Sequence, residues 1–162
     1  MKYVFVVLLL AASAMPASAK TYGNARFGFF VDVPKQFTQM DPPPENGDGA
    51  VYHTADKSAE LRASGGWIMG DNFAADVTES KGYDTSDGWK ISYESTVSAD
   101  AASWSGSKDG RIFYERMITS CKGQAKADYR LEYPEADQAK YDSVVKALNA
   151  SFRAGKGSCE GN

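Results

Sequence analysis

The sequence predicts an α+β domain: an antiparallel sheet of six to seven strands, covered by helix on one or both faces, with a long helix closing the chain. Two observations predict it. Segments of period-two apolar alternation follow one another between Arg26 and Pro134, mostly through hairpin turns. The block from Arg111 to Phe152 then reads strand, strand, helix, with a single apolar stripe on the helix that suits it to cover the strands.

Taken in order, Arg26–Val33 places Phe27, Phe29, Val31 and Val33 on one face, and Pro34 ends the strand. Three prolines at 42–44 favour extended backbone, and Asn46-Gly47 with Asp48-Gly49 then demand a turn. Val51–Ala55 and Ala59–Ala63 form a hairpin across Asp56-Lys57-Ser58. Gly65 to Asn72 has no clear period, and Asn72 suits the cap of a short helix over Phe73–Glu79. After a polar connection at Gly82–Gly88, Trp89–Val97 alternates, with Trp89, Ile91, Tyr93 and Val97 on one face. A weak strand over Ala102–Ser107 feeds through Asp109-Gly110 into Arg111.

The strand from Arg111 carries apolar residues on both faces, the pattern of a central strand covered from either side. In its successor Ala127, Tyr129, Leu131 and Tyr133 share one face. The helix then lines up Tyr141, Val144, Val145, Leu148 and Phe152, with acids near its start and Arg153 and Gly155 at its finish.

Residues 1–19 read as a targeting segment, with Lys2, an apolar run from Tyr3 to Ala12, and Ala17-Ser18-Ala19 as a cleavage pattern. The apolar run falls short of the ~20 residues a bilayer span needs. Cleavage would leave one domain over residues 20–154 and a short tail over 155–162, with no further membrane span. It would also move the formal net charge from −3 to −4, since Lys2 is the one charge lost. A mildly acidic chain with scattered cations lacks the clustered basic footprint of nucleic-acid binding. Cys121 and Cys159, the only cysteines, read as one disulfide in an exported, periplasmic or secreted protein, holding the Gly-rich tail.

The run Gly28-Phe29-Phe30-Val31-Asp32-Val33-Pro34-Lys35-Gln36-Phe37 resembles the first strand and turn of the PsbP-like fold family. Tyr141, Val144-Val145, Leu148 and Ser151-Phe152 are similar to that family's closing helix, and the bacterial envelope branch of DcrB type fits the N-terminal segment. The resemblance implies an antiparallel sheet sandwiched between helices and a non-enzymatic binding or assembly role. It carries no functional residue onto this chain.

The chemistry legible in the sequence is sparse. His53 is the single histidine, in an alternating strand, and no G-x-S-x-G elbow presents a nucleophile to it. Walker, H-E-x-x-H and dinucleotide fingerprints are lacking, so no cofactor or metal is expected. Glu115 and Glu132 lie on neighbouring strands beside Arg116 and Arg130; they suit either cross-strand charge pairing or, in a small carboxylate-dependent hydrolase, an acid pair. Glu45, Asn46 and Asp48 offer oxygen atoms in the proline-rich loop but break the EF-hand pattern. Trp67 and Trp104, set among Gly and Ser, are the candidates for an exposed binding edge, against simple packing in the core. The favoured reading is a binding or assembly module recognising a protein or small ligand through that loop or those tryptophans. An immunity-type inhibitor of a secreted toxin is a variant of the same class.

Overall fold

The computed structural model describes residues 19–156 and Cys159. The expected targeting segment up to Ser18, and the remainder of the tail, lie outside the described residues. The strands are β1 (Lys20–Asn24), β2 (Phe29–Val33), β3 (Phe37–Met40), β4 (Gly49–Thr54), β5 (Glu60–Trp67), β6 (Lys90–Glu94), β7 (Ala101–Lys108), β8 (Arg111–Ser120), β9 (Ala125–Pro134) and β10 (Arg153–Ala154). Helix α1 spans Phe73–Ser86, between β5 and β6, and α2 spans Gln138–Ser151, between β9 and β10.

Seven strands form the main sheet in the order β3-β4-β5-β9-β8-β7-β6, antiparallel throughout. The expected strand count is met, yet its membership differs. The Phe27–Val33 stretch is not part of this sheet: β2 lies at the centre of a separate three-stranded sheet, β1-β2-β10. Its aromatic face still goes inward, with Phe27, Phe29, Val31 and Val33 all buried. They pack with Tyr129, Leu131 and Tyr133 of β9 and with Tyr141, Val144 and Leu148 of α2 into one core. Helix α2 and the small sheet thus cover one face of the main sheet.

The other face carries a smaller core under α1, made of Phe73, Val77, Ala102, Trp104, Phe113 and Met117. Strand β8 is therefore apolar on both sides because it has cover on both sides: Ile112 and Ile118 face the first core, Phe113 and Met117 the second. The central position belongs to β9, with β8 beside it. Asp109 and Gly110, at φ 49° and 73°, make the tight turn that joins β7 to β8.

Asn72 caps α1, its side chain accepting from the Ala75 amide at 3.0 Å. The helix is longer than its apolar pattern indicates and runs through Gly82, where a connection is expected. Two of its four buried positions, Asp76 and Asp84, are acids, so hydrophobic periodicity breaks off after the second turn. Strands β1, β3 and β10 are short and largely exposed, leaving no alternation to detect.

Candidate functional site

On the α1 side, β8 and β9 set Glu115 directly opposite Arg130. The Arg130 guanidinium gathers three acids: Asp84 of α1 at 2.7 Å, Glu115 at 2.8 Å and Glu132 at 2.7 Å. Its plane lies 3.8 Å above the Phe113 ring and 5.2 Å from that of Trp89. Asp84 also accepts from the Trp104 indole at 2.7 Å. Burial, with Asp128 adding its charge, pushes the Glu115 carboxyl up to about 8. Asp128, again mainly through burial, rises to about 6. A cleft of ≈ 330 Å³ lies beside this group, under the C-terminal half of α1. Glu115 and Glu132 do stand together, as their strands dictate, but one arginine holds both, and the same arginine ties α1 to the sheet.

Trp104 is not at an exposed edge. Only 1% of its surface is accessible, because β7 turns it under α1, where Asp84 satisfies its N–H. Ser103 and Ser105, small neighbours in sequence, point to the opposite face of the strand and so do nothing to expose it. Trp67 ends β5 half-buried, edge-on to Phe27 at 5.3 Å. In the proline-rich loop, Asp48 pairs with Arg26 at 2.8 Å and accepts from Asn46 Nδ2 at 2.6 Å, while Glu45 is exposed. Met40 and Pro43 line a hollow of ≈ 280 Å³ at the base of that loop. Among the described residues no group of three or more His, Cys, Asp or Glu is arranged to hold a metal ion. His53 of β4 bonds Asp41, just past the end of β3, at 3.1 Å.

The α2 side of the sheet holds a site that sequence reasoning missed. Helix α2 packs on β2, β8 and β9, so β6 and β7 extend past it and leave a groove alongside the helix. The floor is Ser105 and Ser107, the helix wall is Asp142, Val145 and Lys146, and the volume is ≈ 530 Å³. A ladder of rings crosses it: Tyr93 stacks on Tyr114 at 6.5 Å, and Tyr114 on Tyr129 at 6.1 Å. Asn149 of α2 locks the inner rungs, accepting from the Tyr129 hydroxyl at 2.8 Å and donating to that of Tyr114 at 3.0 Å. The outer rung, Tyr93, is 50% exposed.

Tyr93 reaches this face through an irregularity in β6. Ile91 pairs with Gly106 but Tyr93 with Ser105, so one extra residue enters the strand between them. Ile91 therefore stays with Trp89 in the core under α1, while Tyr93 emerges on the α2 side. Simple alternation puts all of them on one face, and Tyr93's exposed ring was hidden by that assumption.

No family model and no curated protein matches the chain. Solved structures do. The solution structure of cyanobacterial PsbP from Synechocystis sp. PCC 6803 aligns with 91% of this chain and 98% of its own, at a TM-score of 0.58 and 15% identity. The Ran-binding protein Mog1p of Saccharomyces cerevisiae covers 84% of this chain and 95% of its own, at 0.57 and 10% identity. LpqN of Mycobacterium tuberculosis, described as involved in cell envelope biogenesis, covers 86% of both chains, at 0.53 and 15% identity. At such identities the likeness is one of fold, and together with the α/β/α layering it shows that this chain has the PsbP-like fold.

Proposed function

We propose that the chain is an exported, non-enzymatic binding or assembly module of the bacterial envelope, recognising a protein or small ligand in the groove beside α2. The groove carries the reading. It is concave and presents an exposed aromatic ring whose neighbours are fixed from behind, an arrangement that gives contact area at low entropic cost. Export is supported by the N-terminal pattern and by a disulfide, which persists in oxidising compartments. Ran binding by Mog1p and envelope biogenesis for LpqN lend support at the level of fold alone. The proline-rich loop, with Glu45, Asn46, Asp48 and the exposed Met40, is the second surface to test, followed by Trp67.

The hydrolase reading has one observation in its favour, a carboxyl raised toward neutrality in a cleft. Against it, Arg130 engages both glutamates. Envelope extracts passed over immobilised wild-type and Tyr93→Ser protein test the binding reading. A partner retained by the wild type and lost by the variant is expected. Equal retention by both, or turnover of ester or glycoside substrates that Glu115→Gln abolishes, overturns it.

A further inference from the structure

The strip of sheet that floors the groove continues along β7 and β8 as successive cross-strand pairs: Ser107 with Ile112, Ser105 with Tyr114, Ser103 with Arg116, Ala101 with Ile118. At its far end, by the C-terminus of α2, lies a second hollow of ≈ 480 Å³. Arg116 and Ile118 line it from the sheet, Lys122 from the turn after β8, and Phe152 and Arg153 from the end of the helix.

Its charge is lopsided. Among the described residues three cations, Arg116, Lys122 and Arg153, line it with one acid, Asp100, whose carboxylate is exposed and accepts from Ser98 Oγ at 2.8 Å. Arg116 makes no ion pair among the described residues, and its one side-chain bond is Nη1 to Ser103 Oγ at 3.2 Å. Its Nε is buried and has no partner among the described residues. A buried donor left unsatisfied is costly, and more so when the group is charged. Arg130, one strand away and facing the opposite side, shows the contrast: three carboxylates surround it. The same chain that surrounds one arginine with carboxylates leaves the other without one, lining a hollow.

We propose that this hollow takes the anionic head, carboxylate or phosphate, of a ligand whose apolar part lies against Ile118 and Phe152, with Arg116 as the anchor. Lys122 and Arg153 supply charge at the rim. A guanidinium offers an anion two parallel N–H donors, and Arg116 can present its two Nη groups, of which only Nη1 is engaged among the described residues, by Ser103 Oγ. The inference names the ligand chemistry for one end of the binding strip and rests on that reading of the α2 face.

The test follows the Arg116 Nε–H signal in ¹⁵N spectra of the full chain. The probes are hexanoate, hexyl phosphate and the neutral analogue hexanamide; vesicles of phosphatidylglycerol or of phosphatidylcholine serve in a sedimentation arm. A saturable shift with either soluble anion and none with hexanamide is expected, with affinity about tenfold weaker in Arg116→Gln. The double variant Lys122→Gln/Arg153→Gln changes two exposed positions, so the fold is not at stake, and it weakens binding several-fold. Retention on phosphatidylglycerol but not phosphatidylcholine, with the same dependence on Arg116, supports the site and identifies the head as a lipid's; binding of the soluble probes alone identifies a free acid. No saturable response in either arm, or equal affinity in wild type and both variants, overturns the site. Partner capture lost in Tyr93→Ser but kept in Arg116→Gln leaves the binding-module reading standing without this ligand. Anion binding intact while no partner is captured leaves the anion site standing by itself.

Discussion

Glu115 shows how burial decides the behaviour of one side chain. It is 8% exposed, and although Arg130 lies at 2.8 Å, the acids around that arginine share its charge. Loss of hydration is the larger effect and lifts the carboxyl from near 4.5 to about 8. A carboxyl raised in the folded state holds its proton more tightly there than in the unfolded chain. Its contribution to stability is therefore full below about 4.5 and is lost as pH climbs toward 8. Asp128, lifted to about 6, acts in the same direction. Asp56, lowered to about 2 by bonds from Thr54 and Ser58, acts below 3.8 and outside that window. The melting temperature should fall between pH 5 and pH 8.5, and Glu115→Gln should reduce that fall by on the order of 5 °C. An unchanged slope in the variant would place the pH dependence elsewhere.

Among the elements, α1 is held to the sheet unusually for an amphipathic helix. Its apolar contribution is Phe73 and Val77; further along, Asp84 binds Arg130 and Trp104, and Asp76 binds Lys126 at 3.0 Å and the Gly70 amide at 2.9 Å. Burial works against the charged form of Asp76, yet the Gly70 amide and Lys126 prevail and lower its pKa. Since the packed apolar area is small, the cap carries more weight than it would on a helix with a continuous stripe. Asn72→Ala should cost about 1 kcal/mol, read as a shift in the denaturant midpoint at constant slope, whereas Asn72→Asp should keep most of the stability. Equal loss in both variants would mean that packing by the amide, and not its capping oxygen, matters at this position.

Across the whole molecule, the Cys121–Cys159 disulfide joins layers that no continuous strand connects. Cys121 follows β8 in the main sheet, while Cys159 lies beyond β10, which pairs with β2 in the small sheet. The Gly155 amide adds a 2.7 Å bond to the Gly28 carbonyl. The bridge spans a sequence separation of 38 residues, which chain-entropy reasoning converts to about 4 kcal/mol. Replacing both cysteines by serine should lower the melting temperature by about 10 °C, and reductant should bring the wild type to the same value. A wild type indifferent to reductant would refute that role. The same region walls the hollow at Arg116, so the double serine variant should also loosen that site.

Local patterns settled much of this protein: periodicity set the antiparallel strands from β4 onward, the apolar stripe of α2 and the α+β class, residue type set the capped start of α1, and the even cysteine count set the disulfide. The strands and the stripe rest on local spacing that one face of one element must obey. Tertiary structure decided what spacing cannot encode. Strand β2 joined a second sheet because its apolar face was equally suited to cover the main one, and α1 outran its pattern because buried acids found Arg130 and Lys126. One residue inserted in β6 sent Tyr93 to the face opposite Ile91, and strand direction buried Trp104 among small neighbours. The groove beside α2 and the hollow at Arg116 exist only where a helix stops short of the sheet's edge, a consequence of how far one element reaches over another that no stretch of sequence expresses locally.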